Sequence, residues 1–323
     1  MILCTTVSSG QKDLIKFCNS LPNQVFDLVI IDECAQATEP QSWIPLQFAK
    51  KAIFAGDHKQ LEPVVKSKKA ALAGLDITLF EQIMNRYPEV SKMLKIQHRM
   101  NKNIMNWSSG TMYNNQLKAA PEVEDHLLCD TPSYKVPSYL TNDGDYNLFL
   151  FNSLFYIDSN TGIKQEDQDP RTGSKFNMSE VNLVTVIVNK LRMLGVKDTD
   201  IGVITPYTAQ TNRIKIQLHD KSFENDQPHL EIKTVDGFQG REKEVIIMSM
   251  VRSNTDGKVG FLSNERRMNV AITRARKLCI LIGDSLITEH ISHHNYPSEH
   301  DQDSKKVAYN IADGSNNPIN KKP

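Results

Sequence analysis

Apolar positions along this chain fall into two series of short continuous runs, separated by stretches with a helical stripe. In the first series, VFDLVIID (Val25 to Asp32) and AIFAGD (Ala52 to Asp57) read as buried strands. A helical stretch from Thr78 to about Tyr87 follows, and Pro88 stops it. The second series holds IGVIT (Ile201 to Thr205), EIKTV (Glu231 to Val235), EVIIMSM (Glu244 to Met250) and KLCILIG (Lys277 to Gly283). Buried strands alternating with helical patterns predict an α/β fold built on parallel sheets. One helix is unusually clear. Asn177 is its N-cap, with Glu180 three residues on in a variant of the capping box. Val181, Val184, Val188, Leu191 and Leu194 form its stripe, and Gly195 offers the stop. This helix is read as packing, not chemistry.

Residues 115–176 are less regular, with clusters of Pro, Asp, Asn and Gly. Within them LFLFNSLFYID (Leu148 to Asp158) is expected as a strand or strand pair, and the polar segment Gln165 to Lys175 as a mobile loop. Beyond about Thr288 the chain turns polar and is expected to be disordered. Its histidines, His290, His293, His294 and His300, are read as part of a solvated tail and not as a metal site.

Composition narrows the class without naming a function. The 323 residues suffice for one large domain or two ordinary ones, and 39% hydrophobic residues with 24% charged fit a globular protein with a real core. Lys+Arg and Asp+Glu both total 38, so net charge argues neither for nor against a nucleic-acid partner. No apolar run reaches the roughly 18 residues a membrane span needs, and no membrane partner is expected. The five cysteines show no paired metal spacing. Cys4, Cys34 and Cys279 lie in or beside apolar runs and read as buried free thiols, which suits an intracellular location, nucleus or cytoplasm.

Chemistry concentrates at the strand ends. IIDECAQA delivers Asp32 and Glu33 at the carboxyl edge of a strand, where open α/β sheets place ligands. One carboxylate can hold Mg²⁺ through its water shell while its neighbour deprotonates an attacking water. Taken alone, such a pair is more often a solvated turn. A second strand, however, ends in Asp57 and continues HKQLEP, placing the Gln60 amide where it can sense a γ-phosphate. IQHRMN sets Arg99 at the start of a helical segment, able to reach anionic oxygen, although taken alone such an arginine is more often a surface ion-pair partner. TVDGFQGREKEVII puts Gly237, Gln239, Gly240, Arg241 and Glu242 in a turn between two strands, and NVAITRARKLCILIGD sets Arg274 and Arg276 just before the last strand. Arginines there suit neutralisation of transferring phosphate; backbone contact or surface charge is the alternative, and the stronger one for Arg276.

In this order, DECAQA, GDHKQLEP, QHRMN, VDGFQGREKEV and NVAITRAR resemble the superfamily 1B helicases of the up-frameshift type. The likeness runs over about residues 1–285; HLLCDTP (His126 to Pro132) and VRSNTDGKVGFLSNERRMNVA (Val251 to Ala271) point to the branch of immunoglobulin mu-binding protein 2 and the DNA polymerase α-associated helicases. The resemblance implies two RecA-like parallel-sheet domains, the first incomplete (residues 1–93), the second at 94–287, followed by a polar tail at 288–323. It implies a monomeric 5′-to-3′ motor driven by ATP and Mg²⁺ on single-stranded DNA or RNA. Asp32 and Glu33 are then the metal-linked and water-activating carboxylates, Gln60 the γ-phosphate sensor, and Arg99 and Arg274 the two arginine fingers. His98, Gln239, Gly240 and Glu242 fall where the family touches nucleotide. Thr5, Thr6, Ser8, Thr205, Pro206 and Thr234 fall where it holds the sugar-phosphate backbone, without reading sequence.

Three departures qualify the match. His98 stands where the family usually stacks a Tyr on adenine, and Asn101 replaces a His. No G-x-x-x-x-G-K-[ST] occurs: the only Gly-Lys pair is Gly257–Lys258, followed by Val259. The expectation is a chain that begins after the phosphate-binding loop, with an unpaired strand edge in its first domain, and that is poorly stable or inactive alone. A non-catalytic module that binds single strands or a helicase partner is the rival reading.

Overall fold

The computed structural model describes residues 1–20, 26–136, 144–160, 166–218 and 230–287. The polar tail and its four histidines lie outside these residues, as does Val25. The chain divides into two compact units, Met1–Leu94 and Lys95 onward.

The first unit runs α1 (Lys12–Asn19), β1 (Val29–Ile31), α2 (Glu39–Leu46), β2 (Ala52–Phe54), α3 (Lys68–Leu72) and α4 (Leu79–Arg86). The two strands pair in parallel, Val29 with Ala52 through Ile31 with Phe54. Both are shorter than their apolar runs: β1 begins only at Val29, and β2 stops at Phe54, before Ala55 and Gly56. Ile30 and Ile53 remain 63% and 51% exposed, so one face of this small sheet is uncovered among the described residues. α4 starts as expected: the Thr78 hydroxyl accepts the Glu81 N–H while the Glu81 carboxylate accepts the Thr78 N–H.

The second unit begins with β3 (Ile96–Gln97), α5 (Lys102–Met112) and β4 (Lys118–Ala119), then α6 (Gly144–Phe151) and β5 (Leu154–Asp158). β6 (Glu166–Gln168), β7 (Lys175–Asn177), α7 (Met178–Met193), β8 (Ile201–Thr205), α8 (Thr208–Gln217), β9 (Glu231–Thr234), β10 (Lys243–Ser249), α9 (Glu265–Ile272) and β11 (Ala275–Gly283) complete it. A five-stranded, wholly parallel sheet in the order β5-β11-β10-β8-β9 is its centre. Every residue of β8 is buried, as a strand covered on both faces requires. Alternation sorts the two faces: Ile201, Val203, Val245, Ile247, Leu278 and Ile280 share a core with the α7 stripe of Val181, Val184, Val188 and Leu191. Gly195 ends this helix region with a φ of +85°, the left-handed conformation for which glycine is suited.

Three expectations are corrected here. Leu148–Phe151 belong to α6, not to a strand, because Tyr146, Phe149 and Leu150 lie on one helical face and bury together in the main core. Over its described part the Gln165–Lys175 segment is a loop only at residues 169–174: β6 and β7 on either side form an antiparallel hairpin pinned by the buried Glu166. Cys34 and Cys279 are buried, but Cys4 is exposed, because the apolar run Met1–Leu3 beside it is itself exposed.

Candidate functional site

The parallel pairing of β1 and β2 brings their carboxyl ends side by side, so the acidic pair and the Asp57 turn share one edge. Asp32 and Glu33 are both exposed. Glu33 has a φ of +52° and donates its N–H to Asp32 Oδ1 at 3.0 Å, while Gln36 Nε2 donates to Glu33 Oε2 at 2.8 Å. The left-handed turn therefore holds two neighbouring carboxylates toward solvent. Beneath them Cys34 N donates to Ala55 O, and Gly56 approaches so closely that a Cβ there would lie 2.8 Å from Cys34 Sγ. Burial pushes the Cys34 thiol up to about 12, with the nearby Asp32 and Glu33 charges adding to the effect. Gln60 is oriented by its own turn, Nε2 donating to Asp57 Oδ2 at 2.9 Å. Two exposed hard-oxygen donors fit a hydrated Mg²⁺, an ion that keeps several waters. No cluster of three or more ligating side chains occurs among the described residues.

In the second unit, residues far apart in sequence gather at the amino-terminal edge of the large sheet. Arg99 Nε donates to Glu242 Oε2 and its Nη1 to the Thr273 carbonyl at 3.0 Å. Arg276 Nη1 donates to the other oxygen, Glu242 Oε1, at 3.1 Å. Glu242 thus bridges two guanidinium groups. Arg274 is buried, with Nε donating to Val270 O at 3.0 Å and Nη1 to Arg241 O at 3.4 Å. Sequence reasoning missed the residue that shapes this edge. Gln97 Oε1 accepts the N–H groups of both Arg99 and Met100 and its Nε2 donates to Met100 O, a turn that presents His98 and Arg99. His98 is exposed, and its Nδ1 lies 2.6 Å from Glu122 Oε1. Glu122 sits below the usual carboxylate range through a backbone hydrogen bond and this His98 contact. Asn101 N–H and His126 Nε2 both reach the Arg276 carbonyl, at 2.9 and 2.6 Å.

The turn carrying Gln239 and Gly240 is anchored by Phe238, fully buried against Gly202 of β8. Gly240 has a φ of +72° and open space where a Cβ would stand, so conformation alone favours glycine there.

The proposed backbone contacts divide among three places. In the first unit the Thr5 hydroxyl donates to Ser8 Oγ at 2.8 Å, and Thr6 O accepts from Ser9. Thr205 and Pro206 stand at the carboxyl end of β8, and Thr234 at that of β9, where its hydroxyl accepts Gly237 N–H at 3.3 Å. Thr205 is fully buried and its hydroxyl lacks a hydrogen-bond partner, whereas Pro206 and Tyr207 are half-buried. This carboxyl edge is opposite the edge that gathers the arginines.

Comparison with known proteins agrees along both units. A family model described as an AAA domain matches residues 75–286, and a second of the same description matches residues 1–68. DNA-binding protein SMUBP-2 of Rattus norvegicus is 43% identical over 287 residues, 88% of this chain and 27% of that protein. DNA polymerase alpha-associated DNA helicase A of Saccharomyces cerevisiae is 41% identical over 297 residues, 88% of this chain and 42% of its own length. The regulator of nonsense transcripts 1 homolog of Neurospora crassa is 34% identical over 287 residues, 88% of this chain and 24% of that protein. The chain therefore spans less than half the length of these relatives.

Proposed function

The chain belongs to the superfamily 1B helicases of the up-frameshift type, and from that premise we propose that it is a motor portion of an ATP-dependent nucleic-acid helicase. The observation that carries this reading is the convergence of Arg99, Arg274, Arg276 and Glu242 on one sheet edge. Fixed guanidinium groups suit charge that develops on a transferring phosphoryl group, and their backbone and carboxylate partners hold them in place beforehand. ATP with Mg²⁺, when bound, supplies the phosphoryl group and its counter-charge. Asp32 would hold the ion through its waters, Glu33 would take a proton from the attacking water, and Gln60 would report the γ-phosphate to the chain. His98 offers a smaller ring than a tyrosine, so adenine stacking is weaker. Thr5, Thr6, Ser8, Pro206 and Thr234 would line the path of a single strand of DNA or RNA, moved 5′ to 3′ by a monomer, while Thr205, expected there from the resemblance, is buried behind Pro206.

The 323 residues contain no G-x-x-x-x-G-K-[ST] nest for the phosphates. Losing one stabilising donor costs about 3–4 kcal/mol of transition-state stabilisation, so this polypeptide by itself should not turn over ATP. That absence also favours a second reading, a strand-binding module without catalysis. Retention of Glu33, Gln60, Arg99 and Arg274 favours the motor. The test is single-strand-stimulated ATPase of a chimera in which the amino-terminal residues of the S. cerevisiae relative precede this chain. Glu33→Gln should lower turnover at least about hundredfold. Near-normal turnover in that variant would sink the water-activating role, and turnover by the 323-residue chain alone would overturn the reading that it needs a phosphate-binding loop supplied from outside it.

A further inference from the structure

The carboxyl edge of the large sheet holds a buried charged group that the proposed reaction does not use. Arg252 is 6% exposed, and its Nε donates to Glu166 Oε2 at 2.8 Å. The same carboxylate oxygen accepts Ser253 N–H and Asn254 Nδ2, both at 3.0 Å, while Glu166 Oε1 pairs with Lys175 Nζ at 2.9 Å. On its other side the guanidinium stands beside the Tyr207 hydroxyl, both of them against Gly260. It also packs onto Gly260, where a Cβ would stand 1.9 Å from Arg252 Nη1 and 3.0 Å from Tyr207 Oη. One guanidinium thus joins three segments: the β6–β7 hairpin, the Thr205–Tyr207 turn after β8, and the loop ending at Phe261. The Tyr207 ring in turn lies 6.3 Å from the Phe261 ring, with the Arg267 guanidinium over the latter at 4.4 Å.

The backbone is bent to bring this about. Val251 has a φ of +73°, a strained value for a β-branched residue, inside a γ-turn closed by Arg252 N–H to Met250 O at 2.8 Å. Its own N–H is held by the buried Glu180 Oε2 at 2.9 Å. The turn swings Arg252 inward. A buried ion pair of this kind adds little net stability over an apolar substitute, so geometry is the better account of its cost. A planar guanidinium can bind Glu166 through Nε while its Nη1 end lies against Tyr207 and Gly260, a shape an ammonium point charge cannot reproduce.

We propose that Arg252 and Glu166 are positioning residues for single-strand binding: without touching the strand, they fix Tyr207 and the Gly260–Phe261 turn beside Thr205 and Pro206. The proposal rests on the reading of Pro206, at the end of β8, as part of the strand path. Because its charge is buried and compensated, Arg252 releases no counterions from a bound strand. The test is fluorescence anisotropy of a labelled oligothymidylate with the full chain, over a range of salt, on Arg252→Gln, Tyr207→Phe and the double variant. Circular dichroism checks folding, and Arg252→Lys replaces the Gln variant in the cycle if that variant does not fold. Each single change should weaken binding roughly three- to tenfold, and the double no further than the weaker single. The salt slope should stay that of the unaltered chain. A slope reduced by about one in Arg252→Gln would mean direct phosphate contact and would overturn the proposal. So would additive losses, or unchanged affinity in Tyr207→Phe. Failure of the unaltered chain to bind the strand would instead reject the strand path itself, and the positioning role with it.

Discussion

Glu180 shows how far a residue's surroundings can depart from its local role. Its position three residues after Asn177 suggested a carboxylate reaching back to cap the helix. Asn177 does cap α7, accepting the N–H groups of Ser179 and Glu180, but its own N–H goes to Gln210 Oε1. The Glu180 carboxylate turns inward instead, accepting from the Ser249 hydroxyl and from Val251 N–H. Burial pushes its carboxyl up to about 7; hydrogen bonds from Ser249, Val251 and Ser159 oppose this, and Asp284 adds to it. The folded chain therefore holds a proton that the unfolded chain has released between the ordinary 4.5 and about 7. Stability from this group is present at the acid end of that window and is lost as pH rises through it, by about 3 kcal/mol in all. Urea midpoints at about pH 5 and about pH 8 check the claim. Glu180→Gln should flatten the pH dependence relative to the unaltered chain, and equal slopes would reject it. The acidic pair Asp32–Glu33 was legible in the sequence because a strand end announces itself locally. Arg252, Glu166 and Glu180 were not, since each finds its partners across long stretches of chain.

Elements were legible where their burial matched a simple period. β8, β10 and β11 are continuous apolar runs, and α7 is a clean stripe, so each was found close to its observed bounds. α6 was misread because Leu148–Phe151 is equally apolar at strand and helix spacing, and only packing against the core decides. The β6–β7 hairpin was missed because its sequence is polar; its pairing is held by the Glu166 charges instead of an apolar face. The contact between β8 and the turn after β9 offers a test at this scale. A Cβ at Gly202 would stand 2.5 Å from Phe238 Cζ and 2.8 Å from Ile246 Cδ1. Gly202→Ala should destabilise the second unit by about 1–3 kcal/mol through overpacking, read from urea unfolding. Phe238→Leu trims the ring that causes the clash, so the double variant should lose less than the sum of the singles. Strict additivity would mean that Gly202 is needed for some reason other than Phe238.

At the scale of the whole chain the two units differ in how well each closes its own core. The second unit surrounds its sheet with a continuous apolar cluster running from Leu128 to Ile282. The first buries Cys18, Ile31, Cys34, Phe48 and Leu79, while Leu3, Ile30, Ile53, Val64 and Leu72 stay exposed. A small unit that leaves so much apolar surface uncovered has little to set against its conformational entropy. The two tryptophans fall one in each unit, Trp43 in the first and Trp107 in the second. Trp43→Phe leaves fluorescence to report the second unit alone, and Trp107→Phe the first. In urea the Trp43 signal should change at lower denaturant and with the shallower slope, since slope follows the surface exposed on unfolding. The Trp107 signal should follow later and more steeply. Coincident curves would overturn the claim that the first unit's stability is set by its own small core. The same experiment bears on function: with the first unit unfolded at moderate urea, strand binding that persists would rest on the second unit's carboxyl edge, and binding lost together with the Trp43 signal would rest on Thr5, Thr6 and Ser8.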